Sequence, residues 1–509
     1  MNKILYLAIF TLFSFQIFSQ LPVDAKRDNI WLLGYESPGH TKDSLYGNSI
    51  IQFDKKPIQA KFKYIDMYFN DDIAIISDTS GKLLFYTNGI YIADSTHAPM
   101  KNGQGLNPGK FADIFKDDGY ICNQGSLILP KPGSKDLFYL IHNSIYLNTK
   151  PAIAEYVGEK LYYTLVDMSK NNGKGAVIEK NKILYDSTYI DTGRIMSCRH
   201  ANGIDWWIIV ADYYVTSKLN IFLLNEKGIS FVKQQVFPNG IEAGIGQVVF
   251  SPDGTKYARF NAVSIDQGTF VDIYDFDRCN GKLSNQRNWN YKTDSTYSGG
   301  IAISPNSRYL YVCSYTKIYQ FDLQAQDIFS TLDTVAVIDG FMPPEFKIKT
   351  KFYLAQLAPD GKIYISIPGT AKYLHVIHEP NKKGKACNVE QRGMVLPSFN
   401  YTTMPNFPNF RLGKAAQPCT VGVEDAVEKE NVKIYPNPAQ TELHLDMPLL
   451  ATDVAEVSII SLTGAQILRK NNLNTNNLLN ISSLQNGLYL CYIYKNNVLF
   501  ATQKLIILK

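Results

Sequence analysis

A four-residue turn recurs along this chain at nearly constant spacing. It reads Ser251-Pro252-Asp253-Gly254, then Ser304-Pro305-Asn306-Ser307, then Ala358-Pro359-Asp360-Gly361. An apolar stretch precedes each turn (Gln247–Phe250, Gly300–Ile303, Leu354–Leu357), and strand-like residues follow it, as in Arg308-Tyr309-Leu310-Tyr311-Val312. Pro presets φ, Asp or Asn tolerates the tight turn, and Gly allows positive φ, so each unit reads as a β-hairpin. The fourth turn positions lie about 53 residues apart. Stepping backwards by the same interval lands on Gly203, Gly133 and Gly81, each followed by another strand pattern. Only the interval from Gly133 to Gly203 is longer, which predicts an inserted loop.

Second hairpins follow in several units. Examples are Ile221–Leu224 before Glu226-Lys227-Gly228, and Val271–Phe276 before Asn280-Gly281-Lys282. Four strands in about 50 residues is the period of a propeller blade. One such sheet cannot bury both its faces alone, and stacking around a ring closes the core. The expected fold is therefore all-β: a β-propeller over residues 21–413. Six turn marks are present, and pairing the start (around Ile30–Tyr35) with the end (around Phe407–Leu412) makes a seventh blade. Six blades, eight blades and an open sandwich array are the alternatives.

The repeats are WD40-like but divergent, without that family's Gly-His and Trp-Asp marks. Their Ser-Pro-Asp-Gly turns resemble those of TolB-like and lactonase-like extracytoplasmic propellers. Gly81–Gly89, Gln124–Pro132, Arg199–Trp207, Phe276–Ser284 and Ser304–Val312 resemble phrases of secreted propellers from bacteria that use type IX secretion. The resemblance implies a fold and an export route, and it names no activity.

Both ends of the chain speak of export. Lys3 followed by the apolar run Ile4–Phe18 and then Ser19-Gln20 reads as a signal peptide over residues 1–20, too short to span a bilayer. Residues 414–430 are charged and aperiodic and read as a linker. Residues 431–509 show short alternating strands separated by turns, a small C-terminal β-sandwich. This segment resembles a type A sorting domain of type IX secretion. The resemblance rests on Tyr435-Pro436-Asn437-Pro438, the Ser461-Leu462-Thr463-Gly464 turn, Asn486-Gly487-Leu488-Tyr489 and the lysine-ending last strand. It implies the Sec machinery and the type IX outer-membrane translocon as partners, and a secreted or cell-surface destination.

Composition narrows the remaining options. Only 19% of residues are charged and 45% are hydrophobic, which argues for a packed core rather than disorder. The net charge is +5 and no Lys/Arg run is present, which argues against a nucleic-acid partner. No later stretch is long and apolar enough to span a membrane. Seven cysteines without a C-x-x-C pair give no thiolate zinc motif; disulfides are permissible after export, their pairing is open, and Cys491 reads as a buried free thiol.

Most strong catalytic signatures are absent: there is no G-x-S-x-G elbow, no H-E-x-x-H helix and no Walker loop. No cofactor or metal site is expected. His375 and His378 are three apart in a strand and face opposite ways. Asp275-Phe276-Asp277 before Asn280-Gly281 has the glycine one residue late for a calcium loop and reads as a hairpin. The triplet Asp-Ser-Thr recurs at 94, 186 and 294, in the manner of a glycosylation acceptor or a simple turn. The candidate ligand-binding cluster is Arg199, His200, Asn202, Asp205, Trp206 and Trp207. His200 offers acid, base or ligand chemistry, and adjacent Trp residues face opposite ways, leaving one indole for a sugar or cation. In the competing reading Asn202-Gly203 makes the blade turn, Asp205 caps it, and both indoles fill core. The expected function is a non-catalytic binding module for a glycan or protein partner. A lactonase-like hydrolase, a polysaccharide lyase and a scaffold of a surface or gliding apparatus are the alternatives. A channel filled by hydrophobic plugs would favour the scaffold.

Overall fold

The computed structural model describes residues 22–37, 45–148, 155–213, 218–239, 244–264, 268–291, 299–417, 419, 432–446, 455–461, 466–473, 476–495 and 498–509. The expected signal peptide, most of the expected linker and Gly464 lie outside these residues. The chain divides into two compact units, with the boundary between residues 418 and 419.

The first unit is a β-propeller. Its described strands form seven consecutive antiparallel meanders, each with its first strand at one edge. The first meander has three strands, Ile30–Gly34, Asn48–Gln52 and Ala60–Lys63. The next six begin with the inner strands Ala74–Ser77, Ser126–Pro130, Met196–Arg199, Ile245–Phe250, Gly300–Ile303 and Ala355–Leu357. Meanders two and three join at their outer edges through a parallel bridge between Lys101 and Ala176. The predicted insertion between Gly133 and Gly203 is chiefly strand: Leu137–Asn148 and Glu155–Asp167 pair along their whole length.

The turn marks behave as their chemistry requires. Gly81, Gly133, Gly203, Gly254 and Gly361 all have positive φ, and Ser307 adopts φ 59° in the same position without being glycine. In the Ser251 turn the hydroxyl donates to Asp253 (2.6 Å) and accepts from the Lys256 amide (2.9 Å). Ser304 repeats this with Asn306 (2.6 Å) and Tyr309 (2.8 Å).

The chain then threads the centre of the ring. Residues 401–415 start beside Asp71 and end beside Ala201, with Met404, Phe407 and Phe410 buried. Phe407 stacks on Trp31 (6.3 Å), Phe410 meets Trp206 edge-on (5.7 Å), and Arg411 grips Asp28 through both carboxylate oxygens (2.7 Å each). The expected pairing of start and end is thus a matter of side chains, since no strand is assigned to this segment.

Three buried amides tie the inner strands together. Asn406 donates to Ser126 O (3.0 Å) and Ile195 O (3.1 Å) from its side chain, and to Ile73 O (3.2 Å) from its backbone. Its Oδ1 accepts from Gln124, whose amide also exchanges two bonds with the Val248 backbone (3.0 and 2.8 Å). Gln247 accepts from Ile301 N (3.1 Å) and Ala355 N (3.0 Å) and donates to Ala355 O (2.7 Å). Asp72 completes the ring, accepting from the Ser126 amide (2.9 Å) and hydroxyl (2.5 Å).

The second unit packs a three-stranded sheet against a four-stranded one. The first has the order Lys433–Tyr435, Glu442–Asp446, Asn476–Asn480. The second has the order Gln466–Leu473, Ala455–Ser461, Gly487–Lys495, Val498–Ile507. Leu443, Leu445, Val457, Ile459, Cys491, Ile493 and Leu505 fill the sandwich core. Cys491 is a buried free thiol, as are Cys122, Cys198, Cys313 and Cys387. Asn437 replaces a missing ladder partner at the edge of the last strand: its Oδ1 accepts from Ile506 N (2.9 Å) and its Nδ2 donates to Lys504 O (2.7 Å). Asn486 holds the chain end by accepting from Lys509 N (2.7 Å), and the Lys509 ammonium donates to Ser482 O. Among the described residues no helix is long and apolar enough to cross a membrane.

Three outcomes follow from this packing. Asn406→Ala strands carbonyls of two blades and the Gln124 amide in the core, each costing about 1–3 kcal/mol; chemical unfolding of the full chain should show a loss of at least about 3 kcal/mol. Burial pushes the Asp72 carboxyl up to about 7, so its contribution to stability is full below its ordinary value of 3.8 and is lost as pH rises through 7. Wild type should therefore lose stability relative to Asp72→Asn between pH 4 and 7, by a few kcal/mol at most; parallel melting curves would contradict this. Asn437→Ala should destabilise the C-terminal unit by about 1–2 kcal/mol and speed amide exchange at Ile506, with Asn437→Asp, which retains the acceptor, in between.

Candidate functional site

The inner strands all run in one sense, so the links entering them gather at one mouth of the ring. Asp71 precedes Ala74–Ser77, Asn123 precedes Ser126–Pro130, Asp191 precedes Met196–Arg199, and Tyr353 precedes Ala355–Leu357. These four residues, with Gly244–Gly246 at the head of the fifth inner strand, line one cavity of about 490 Å³. That volume suits a small ligand. The helix Lys110–Ile114 supplies a wall: Phe111 packs against Tyr120 (5.0 Å), Tyr156 (5.4 Å) and Phe115 (4.7 Å), and Phe111, Phe115 and Tyr156 line the cavity together.

The polar groups of the wall differ in how they are held. Asp191 accepts from Arg194 and lies 3.6 Å from Arg259, so its charge is matched from behind. Arg194 also reaches Asn261. Asp71 accepts from the Thr402 hydroxyl of the threaded segment. Burial raises the Asp71 carboxyl above its ordinary value, with the Thr402 bond pulling the other way. Asn123 donates to the Tyr353 hydroxyl (2.9 Å), and its buried Oδ1 has no hydrogen-bond partner among the described residues. Burial also raises the Tyr353 phenol and the Cys122 thiol, so both stay neutral.

The cluster singled out from sequence lies elsewhere, where the fourth inner strand leaves the ring. Arg199 donates to Asp24 (2.6 Å) and lies over the Trp206 ring (3.9 Å). His200 accepts from the Asn202 amide at Nδ1 (3.0 Å) and so donates from Nε2 to Cys279 O (3.0 Å). Asn202 caps the turn, accepting from Ile204 N (2.9 Å) and Asp205 N (3.0 Å) and donating to Asp205 (2.7 Å). Trp206 and Trp207 are 0% and 3% exposed, and Trp207 donates to Arg278 O (2.7 Å) on the next blade. All six residues sit in one hairpin, and neither indole offers a face to solvent. Gly203 belongs to the same packing, because a Cβ there would meet the Lys414 backbone at 2.7 Å.

Other residues weighed from sequence are also placed. His375 is buried, with Nε2 donating to Lys351 O (3.2 Å), while His378 lies on the other strand face between Lys362 (3.0 Å) and Glu390 (2.7 Å). Asp275 is occupied by Lys256 (2.6 Å), Arg287 (2.5 Å) and Asn285 (2.7 Å). In the sorting segment Tyr435 stacks on His444 (5.0 Å), Tyr489 donates to Gln485 O (2.9 Å), and Leu488 pairs with Ile506 on an exposed face. The cavity residues Asp71, Asn123, Asp191 and Tyr353 escaped the sequence reading. A usable signal was present, since each lies about ten residues ahead of its turn mark, where the links between blades must converge.

Residues 433–508 match the family described as the secretion system C-terminal sorting domain. No curated protein matches the chain. Solved structures similar to it include a protein from Lactobacillus plantarum, 13% identical with a TM-score of 0.41, covering 74% of this chain and 98% of that one. Another is the Pseudomonas aeruginosa periplasmic gluconolactonase PpgL, 12% identical with a TM-score of 0.39, covering 74% and 99%. The matched tail marks the protein as cargo of type IX secretion, bound for the cell surface or the extracellular space.

Proposed function

We propose that this protein is a non-catalytic, seven-bladed binding module that captures a glycan at the mouth of its ring, after Sec export directed by residues 1–20 and passage through the type IX translocon. The observation that carries this reading is the cavity of about 490 Å³, where links from several blades bring aromatic rings and hydrogen-bonding groups together. Phe115 and Tyr156 offer apolar faces to a sugar ring, and Asn123 Oδ1 offers an unused acceptor to a hydroxyl. A scaffold that presents only protein contacts is the second reading, favoured by the hydrophobic filling of the channel by Met404, Phe407 and Phe410.

A glycan array probed with the mature chain separates the two. Binding is expected for wild type and for His200→Ala, and a weakening of at least about tenfold, equivalent to about 1.4 kcal/mol, is expected for Tyr156→Ala and Asn123→Ala. A silent array, or binding lost in His200→Ala but kept in the cavity variants, would overturn the reading.

A further inference from the structure

We infer that the mouth cavity selects a glycan bearing a free amine, an amino sugar in its ammonium form, over neutral and acidic glycans; this rests on the glycan reading above. The cavity wall carries two carboxylates, Asp71 and Asp191, and no Lys, Arg or His is among its described lining residues. The two acids are not equivalent. Asp191 is neutralised from behind by Arg194 and Arg259, and Asp272 in turn faces Arg259, so this buried group of charges balances within the protein.

Asp71 has no such counterpart. Among the described residues no basic side chain lies within ion-pairing distance of it, and the hydrogen bond it receives comes from a neutral hydroxyl. Its neighbour Asp72 is acidic as well, with both oxygens turned to Ser126. Desolvation disfavours a carboxylate that has no cation beside it, and it raises the Asp71 carboxyl above its ordinary value. An ammonium group placed beside it supplies the missing charge and makes a charge-assisted hydrogen bond.

The remainder of the wall suits the same ligand. Ring faces attract cations, and Phe111, Phe115, Tyr156, Tyr213 and Tyr353 line the cavity with Asp71. Asn123 Oδ1 is an acceptor awaiting a donor, which an ammonium or hydroxyl supplies and a carboxylate does not. A uronate or a phosphorylated sugar would bring its negative charge to a wall without a cation.

Titration calorimetry on the mature chain tests this with three oligosaccharides of equal length: a glucosamine oligomer, its N-acetylated form and a galacturonate oligomer. The expected order is amine first, by about tenfold or more over the N-acetylated oligomer, with the uronate weakest. Asp71→Asn should erase the preference while keeping affinity for the N-acetylated oligomer. The preference is measured on wild type, so it stands as a test even where the variant fails to fold. Equal or tighter binding of the N-acetylated or uronate oligomer would overturn this inference and leave glycan binding intact. Binding of none of the three, together with a silent array, would overturn both.

Discussion

The propeller depends on how its inner strands satisfy their backbone at the centre of the ring. Each inner strand has one edge paired within its own sheet and the other turned towards the axis. Buried amides and carbonyls there need partners, or each costs free energy comparable to a lost hydrogen bond. Asn406, Gln124 and Gln247 supply those partners to six of the seven meanders, from Ile73 and Ser126 round to Ile301 and Ala355. Because one side chain serves several blades, the blades cannot shift independently.

The same threading prepares the site. Thr402, at the head of the axial segment, binds Asp71 at the mouth, and Asn406, further down, accepts from Gln124, next to Asn123. The cavity therefore rests on a floor that also closes the ring. Polar groups in such a place are constrained from behind, which favours recognition with little reorganisation on binding. The hairpin at the other end of the fourth inner strand is consumed by structure. Arg199, Asn202 and Trp207 each find partners within the propeller, and a residue so occupied has little left for a ligand.

In the C-terminal unit the sorting motif has a structural meaning of its own. Asn437 sits between two prolines, Pro436 and Pro438, which lack amide donors, and its side chain supplies the donor and acceptor that a ladder partner would have offered. Asn486 supplies an acceptor to the amide of the final residue. The terminal strand is thereby presented in a defined shape rather than as a frayed end.

The repeat of turns was legible in the sequence because it is local. Pro, Asn or Asp and Gly set φ within four residues, and alternation sets strand faces, so hairpins, blades and the sandwich tail follow from short-range chemistry. The sorting segment was legible for the same reason, its motif residues being short and contiguous. The site was not legible, because it is assembled from Asp71, Asn123, Asp191 and Tyr353, separated along the chain by most of the propeller. The Arg199–Trp207 cluster drew attention as a dense local run of chemistry-bearing residues, yet its burial came from contacts with Asp24, Arg278 and Gly281 on other elements. The extra length after Gly133 likewise read as a loop until paired strands showed where it went. The sequence by itself determined the repeat, the strands and the export tail, since those depend on near neighbours. Only the tertiary structure decided which polar side chains were spent on closing the ring and which were left facing a cavity, because that depends on what long-range packing places opposite each one.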